Sequence, residues 1–479
     1  MWSTILIWIA VLVYTVLCLG TITIVLLENR QPAKTIAWTI TIILLPVIGL
    51  LAFYFFGLNI RRSRYISTRQ YQQLMWKMVN NVPRVSEDAV PQKYRNLAHL
   101  FETTNHSVVT TARSLEGFCT GMGWIQSLLR DIATATETIH LETYIIDDDP
   151  VGRLVRDALI DKAQEGVSVR LIYDAVGCWK VPRSFFQPLT EAGGKAIAFM
   201  PVQVPRFAHK INYRNHRKLC VIDGRIGYLG GMNIALRYVS RRMRPWRDVH
   251  MRAEGGCVAD MQRLFLTDWC FTTGEKQLSY ANLIPTDCGQ GTPITPQTPM
   301  LQIVRSTPYA KYPEIMYGMT WVISHARKYV FVQTPYFMPP EPVLQALQTA
   351  AMSGVDVRIM VPDTPDSFWL RWANESYFTK MLQAGVRIFQ YHGGFLHSKC
   401  CVADDDWCTV GSSNMDFRSY ENNFESNAFI YNAWAASLVY NRFITDMEQS
   451  IEVKYSQWKN RSYYQRCLES YTRFFAPLL

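Results

Sequence analysis

Two stretches near the N-terminus lack the polar positions that punctuate the rest of the chain. Ile5 to Leu27 and Ile36 to Leu58 are each 23 residues without a charge, about the length a helix needs to cross the apolar layer of a bilayer. Only a short polar turn holding Glu28, Asn29, Arg30, Pro32 and Lys34 separates them. A cleaved leader fits poorly: no basic segment precedes the first run, the run is too long, and a second follows at once. The pattern predicts a transmembrane helical hairpin over residues 1–60, with Pro46 and Gly49 tolerated in the second span where a partner helix re-satisfies the backbone.

Residues 61–109 read as a basic juxtamembrane segment, in which Arg61, Arg62, Arg64, Arg69, Lys77, Arg84, Lys93 and Arg95 face only Glu87 and Asp88. Over 110–282 and again over 300–457, apolar strand-like runs alternate with helical stretches, the pattern of βαβ units in mixed or parallel sheets. The stretch 283–299, with Pro285, Gly289, Gly291, Pro293, Pro296 and Pro299, is a linker by composition. The tail, 458–479, mixes Lys459, Arg461, Arg466 and Arg473 with Tyr463, Tyr464, Tyr471, Phe474 and Phe475. It suits an interfacial amphipathic helix or a helix packed on the domain.

The two α/β stretches repeat each other. Thr138 to Tyr144 answers to Tyr329 to Tyr336, and Gly166 to Ile172 answers to Gly354 to Met360, with Glu142 facing Gln333. Such near-constant offsets mark a duplication, and two copies of one unit pack about a pseudo-twofold axis.

A third match carries the chemistry. His216, Lys218, Asp223 and Asn233 recur as His397, Lys399, Asp404 and Asn414 with identical internal spacing. One such string is weak evidence; two copies in register within a wider repeat are strong evidence. Residues two apart on a strand point to the same side, so each His and Lys share a face, the expected cleft. The small residues Gly230-Gly231 and Ser412-Ser413 before each Asn let the backbone turn closely past a phosphate. Asp223 and Asp404 complete the two motifs, but at seven residues' distance a turn or ion-pair duty is expected of them. A nucleophilic histidine needs an orienting acid; Asp248 and Glu425 are the candidates, with Asp416 and Glu421 as competitors, and the sequence leaves open which acid serves which histidine.

Charge narrows the partners. The chain carries a formal +10 with pI about 9.0, which favours an anionic partner: phospholipid, nucleic acid or phosphate ester. Residues 206–248 hold eleven Lys or Arg against two Asp, a local excess suited to lipid headgroups. Eleven scattered cysteines without a C-x-x-C pair signal neither a zinc site nor a disulfide framework.

These residues resemble the phospholipase D superfamily, whose signature is H-x-K-x-x-x-x-D twice. Glu28-Asn29-Arg30, Ala37-Trp38, Phe56-Gly57, Asn215-His216-Arg217-Lys218, Trp246-Arg247-Asp248, Gln333-Thr334-Pro335-Tyr336-Phe337 and the terminal Phe475-Ala476-Pro477-Leu478-Leu479 narrow the resemblance to the membrane-anchored bacterial cardiolipin synthases. It implies an α/β fold of two tandem phospholipase D-like mixed-sheet repeats after a transmembrane hairpin. It also implies transfer of a phosphatidyl group between two phosphatidylglycerol molecules through a phosphohistidine, His216 being the nucleophile and His397 the acid and then the base. Lys218, Lys399, Asn233 and Asn414 would hold the phosphate oxygens. No cofactor or metal is expected, because an imidazole attacks phosphorus and no Mg²⁺-type carboxylate cluster stands beside the motif. The expected partners are phosphatidylglycerol and other anionic lipids, not nucleic acid. The expected place is the bacterial inner membrane, multi-pass, with the catalytic unit on the cytoplasmic side. A hydrolase of the same lipids would use the same residues; a superfamily nuclease is opposed by the hairpin, and a non-enzymatic scaffold by the intact motifs.

Overall fold

The computed structural model describes residues 2–27, 32–45, 47–57, 82–202, 212–240, 245–275, 283, 285, 295 and 297–475. These fall into two compact units, one drawn from 1–63 and 202–213, the other from 64–201 and 214–479.

In the smaller unit the first apolar run is one continuous helix, α1 (Trp2–Leu27), long and apolar enough to cross a membrane. The second expected span is broken. It forms α2 (Pro32–Leu44), α3 (Ile48–Ala52) and a π-helical turn over Phe53–Gly57. The break falls at Pro46, itself outside the described residues, whose ring has no N–H for the helix ladder; Val47 beyond it adopts a left-handed φ of 64°. Val25, Ile42 and Phe53 pack together with Trp38 and Leu50 around them. Gly49 lies so close to the Thr41 carbonyl that a side chain would collide. Glu28, Asn29, Arg30 and residues 58–81, which include the first part of the basic juxtamembrane segment, lie outside the described residues, as do most of the 283–299 linker and the terminal Ala476 to Leu479.

The larger unit opens with α4 (Arg95–Asn105). Its first sheet comprises β1 (Ser114–Phe118), β2 (Thr138–Thr143), β3 (Ser168–Asp174), β4 (Lys195–Phe199), β5 (Leu219–Ile222), β6 (Ile226–Gly230) and β7 (His250–Glu254), in spatial order β1-β7-β6-β5-β2-β3-β4. The core of the second comprises β8 (Met300–Ser306), β9 (Tyr329–Gln333), β10 (Asp356–Pro362), β11 (Arg387–Tyr391), β12 (Cys400–Ala403), β13 (Trp407–Gly411) and β14 (Glu425–Tyr431), in order β8-β14-β13-β12-β9-β10-β11, with the short strands Thr110–Thr111 beside β8 and Ser450–Glu452 beside β11 at its edges. Each strand of the first sheet thus has a counterpart seven places later. In both, three strands run parallel and the rest antiparallel.

The helices around the sheets are α5 (Gly121–Thr134), α6 (Pro150–Gln164), α7 (Cys257–Thr273), α8 (Glu314–His325), α9 (Glu341–Met352), α10 (Phe368–Glu375), α11 (Ala433–Met447) and α12 (Tyr463–Phe475). Asp149 caps α6 by accepting from Val151 and Gly152 N–H, with Pro150 in the first turn, where its missing donor costs nothing. Trp124, Leu128, Val155 and Leu159 of α5 and α6 bury against Ile139, Leu141 and Leu171. Ile315, Met319, Leu344 and Leu347 of α8 and α9 do the same against Val330, Val332 and Ile359. Each such side chain contributes about 1.5–3 kcal/mol of burial.

Two segments belong elsewhere than their sequence position suggests. Residues 82–109 are not merely a basic linker: Phe101 of α4 packs on Phe429 with ring centroids 4.6 Å apart, and the Ser107 hydroxyl donates to Ile303 O. Thr110–Thr111, expected to open the first domain, instead pair with β8 at the edge of the second sheet. In the tail, α12 packs along α10, held by Arg461–Glu469 and by Trp458 against Phe378. It is a helix docked on the domain, with Tyr463, Tyr464 and Tyr471 left exposed.

Candidate active site

The two motifs meet because the chain ahead of each histidine pairs with the opposite half. His216 N–H donates to Phe424 O at 2.9 Å, Phe424 N–H donates to Arg214 O at 2.9 Å, and His397 N–H donates to Arg247 O at 2.7 Å. Phe424 precedes Glu425 and Arg247 precedes Asp248, so each bridge delivers an acid from the other half. His216 Nδ1 lies 3.0 Å from Glu425 Oε1, and His397 Nδ1 lies 2.7 Å from Asp248 Oδ2. The acids cross over, and neither histidine is complete without the opposite repeat.

Both lysines are buried beside their histidines. Lys218 Nζ donates to His216 O at 2.5 Å, while Lys399 Nζ sits 2.7 Å from His397 Nδ1 and 3.5 Å from Asp248 Oδ2. Each lysine's charge also bears on the histidine of the other motif, which places all four groups in one cluster. Burial, reinforced by the neighbouring lysine, holds His397 down to about 3 and His216 below its ordinary value. Burial, with Lys399 adding to it, lowers Lys218 to about 7, and burial lowers Lys399 too. Burial opposes ionisation of the acids. Even so, His216 and Lys218 hold Glu425 below the usual carboxylate range, and Lys399 and His397 do so for Asp248. The resting cluster therefore combines two neutral imidazoles, two carboxylates and lysines whose charge is poised for an anion.

The motif aspartates stand outside this cluster, in the turns expected of them. Asp223 accepts from the N–H groups of Thr136, Glu137 and Thr138, and Asp404 from those of Arg327, Lys328 and Tyr329. Each caps the start of the neighbouring strand from a left-handed turn, with φ near 50°. Asn233 is likewise drawn into the scaffold, accepting from Ile145 N–H and donating to the Tyr238 hydroxyl at 2.8 Å. Asn414 is buried with Oδ1 lacking a hydrogen-bond partner among the described residues. Asp416, a competitor for the orienting duty, instead caps the helix Phe417–Glu421 through Ser419 N–H.

The small residues align one place differently from the expected pairing. Gly230 N–H reaches Lys218 O as Gly411 N–H reaches Lys399 O, so Gly231, not Gly230, matches Ser412. A side chain at Gly231 would collide with the Asp248 carboxylate, while the Ser412 hydroxyl donates to Glu425.

Burial first, and then the Asp268 carboxylate, raise Glu142 well above the carboxylate range, while it accepts a hydrogen bond from Asn215 next to His216. Asp268 is paired with Arg217; at the equivalent place Gln333 Nε2 donates to Asp446 at 2.9 Å, and Asp446 is paired with Arg247 at 3.0 Å. These buried guanidiniums stand next to His216 and Asp248 in the chain and fix their backbones. Sequence reading passed over them, although Arg217 between His216 and Lys218, against Ser398 in the second copy, was a visible signal. It also missed Tyr144, whose ring meets His216 edge-on at 4.9 Å, and Tyr238, whose hydroxyl lies 3.3 Å from His397 Nδ1; nothing in their spacing sets them apart.

The description "Cardiolipin synthase, PLD-like domain" matches residues 128–244 and 319–447, and "Phospholipase_D-nuclease N-terminal" matches 6–57. A cardiolipin synthase of Halalkalibacterium halodurans is 36% identical over 473 residues, covering 95% of this chain and 91% of that one. The chain belongs to the cardiolipin synthase family. The major cardiolipin synthase ClsA of Bacillus subtilis is 35% identical, covering 96% of each chain. Among solved structures, a phosphatidylserine synthase of Haemophilus influenzae aligns with a TM-score of 0.58 at 14% identity, covering 79% of this chain and 97% of that one. That likeness speaks for the fold alone. The two matched segments divide the chain into halves; the first contains His216 and Lys218 but stops short of Asp248, the acid that serves the second histidine.

Proposed function

We propose that this chain is a membrane-bound phosphatidyltransferase that makes cardiolipin and glycerol from two molecules of phosphatidylglycerol. The observation that carries the reading is the crossed pairing of each motif histidine with an acid of the opposite half, which sets two neutral imidazoles and both lysines in one cluster. His216 Nε2 attacks phosphorus, forming a phosphatidyl-histidine, and His397 protonates the departing glycerol oxygen. His397 then takes the proton from the hydroxyl of the second lipid, whose oxygen displaces His216. Lys218 and Lys399 hold the non-bridging oxygens as charge shifts in the transition state. The bound phosphodiester anion raises both histidines and lysines from their resting values, which equips His397 for its acid step. The relatives' names and the intact double motif support this substrate class.

The apolar runs support a seat in the bacterial inner membrane with more than one crossing. Arg61, Arg62, Arg64, Arg69 and Lys77 after the second run favour the cytoplasmic side for the larger unit. The nucleophile is an imidazole rather than a metal-bound water, so excess chelator should leave turnover intact. Purified enzyme given phosphatidylglycerol alone should yield cardiolipin and glycerol; phosphatidic acid as the sole product would instead make it a hydrolase.

A further inference from the structure

The strands β3 and β10 are equivalent in the two sheets, and the chain after each carries bare aromatic side chains, on the β3 loop and on the first turn of α10 at the end of the β10 loop. After β3, Trp179 is 73% exposed, beside the exposed Lys180. After β10, Phe368 and Trp369 are 60% and 52% exposed, with ring centroids 5.8 Å apart. Both loops are tied to the site. Asp174, closing β3, accepts from Val176 and Gly177 N–H and also from Asn215 N–H, next to His216. Gly177 is pressed against Tyr144, the residue whose ring meets His216. On the other side the Tyr336 hydroxyl donates to Asp366 at 2.8 Å, and the charges of Lys399 and Arg237 bear on Asp366. Beyond Trp369 the exposed surface continues onto α12, packed along α10, with Tyr463 and Tyr464 at 80% and 72% exposure.

Exposed Trp, Tyr and Phe with basic neighbours are what a bilayer's headgroup layer accommodates: the rings have one apolar and one wet end, and the cations meet anionic lipid. Isolated exposed aromatics are unremarkable on a soluble surface; here they stand at symmetry-equivalent places on either side of one cleft. A diacyl lipid whose tails stay in the membrane presents its phosphate only at that layer, so a cleft acting on it must be set down there.

We propose that the β3 loop and the β10 loop with the start of α10 are paired interfacial anchors that seat the catalytic cleft on the lipid headgroup layer, Trp179 on one side and Phe368–Trp369 on the other. This rests on the phosphatidyltransfer reading, with the bilayer surface as the partner. The anchors make no contact with the reacting phosphate; they act on how often lipid reaches it. The full chain, reconstituted in phosphatidylcholine vesicles of graded phosphatidylglycerol content, should show the effect when Trp179→Ser is combined with Phe368→Ser and Trp369→Ser. The half-saturating mole fraction should rise about tenfold or more, as loss of buried aromatic area dictates. Turnover of a soluble nitrophenyl phosphodiester should stay unchanged, and Trp369→Tyr should retain most of the wild-type dependence. An unchanged mole-fraction dependence overturns the proposal, as does equal loss on the soluble donor, which would make the residues part of the fold or the site. Loss of self-association in detergent at unchanged lipid dependence would assign the surface to a second copy and also overturn it. If the wild-type product is phosphatidic acid, the transferase reading fails while the same dependence still tests the anchors.

Discussion

The two histidine centres share a motif and a strand geometry, yet their Nδ1 atoms meet different company. At His216 every polar neighbour of Nδ1 is an acceptor: the Glu425 carboxylate and, at 3.1 Å, Ser412 O. The proton belongs on Nδ1 there, and Nε2 keeps its lone pair. At His397 the Asp248 carboxylate competes with the Lys399 ammonium, both 2.7 Å away, and with the Tyr238 hydroxyl. A donor at Nδ1 favours the tautomer with its proton on Nε2. The first centre thus keeps a lone pair on Nε2 for attack, whereas the second presents an N–H at Nε2; it becomes an acid only once His397 is protonated, as the bound phosphodiester anion favours, and the neutral ring it leaves is the base of the second step. Duplication supplied two equal sites, and one ammonium's reach separates them.

The largest effect, and the sharpest test of that difference, comes from removing each histidine. His216→Ala should abolish the covalent adduct and lower turnover by about 10⁴ or more. His397→Ala should still be labelled by a nitrophenyl phosphodiester, whose leaving group needs no acid, and should accumulate the adduct because its resolution lacks a base. Intact-mass measurement on both variants decides; an adduct in His216→Ala that is missing in His397→Ala would reverse the roles. Next come the crossed acids, each expected to cost about 10² to 10⁴ in kcat. Glu425→Gln should behave like a His216 variant, and Asp248→Asn like a His397 variant that the activated donor partly rescues. Gly231→Ala, which pushes a methyl group into the Asp248 carboxylate, should resemble Asp248→Asn in milder form. The opposite pattern of rescue would mean that the acids serve their own halves.

Much of this was legible beforehand because it is repeated. The duplicated strands, both histidines and both lysines stood out as paired spacings, and a repeat is self-checking; the two acids, at unequal distances from their motifs, stood out only as candidates beside Asp416 and Glu421. The crossing of the acids was not legible. It depends on backbone bridges such as His216 to Phe424, between positions 208 residues apart, and pairing at that range leaves no periodic trace. In the second apolar run hydropathy showed one stretch but not the interruption between Leu44 and Ile48. Thr110–Thr111 misled because an edge strand is claimed by whichever sheet has an open ladder, and β8 offered one.

A smaller effect separates the two lysines. Lys218 is lowered to about 7, mainly by burial. It is therefore charged and able to bind the phosphodiester below that pH, and it loses that charge as pH rises through it. Values of kcat/KM report the free enzyme, so they should fall on the alkaline side with an apparent pKa near 7. Lys218→Arg keeps its charge at every accessible pH. It should cost roughly tenfold at neutral pH, because the planar guanidinium fits the lysine's place poorly, but its remaining activity should not decline between pH 7 and 9. A variant profile that still falls there would assign the alkaline limb to another group, Lys399 first.

The smallest predicted effect bears on the last difference between the halves, Ser412 against Gly231. The Ser412 hydroxyl donates to Glu425, which also accepts from Asn423 Nδ2 at 3.1 Å and faces His216. Asp248 has Gly231 at the matching place and no hydroxyl there. Ser412→Ala removes one of several donors, so His216 keeps its orienting acid and turnover should drop only about fivefold. The direction of the accompanying pH change is the informative part. A donor to a carboxylate stabilises its charged form, so losing it lets Glu425 rise toward its ordinary value. Protonated Glu425 no longer holds the His216 proton on Nδ1. The acid limb of kcat/KM should therefore move to higher pH in Ser412→Ala and stay in place in Ser413→Ala, whose hydroxyl donates to Asn414 O instead. An acid limb that stays fixed in Ser412→Ala, or moves to lower pH, would mean that Glu425 does not govern the nucleophile's protonation, and the contrast drawn between the two centres would lose its first half.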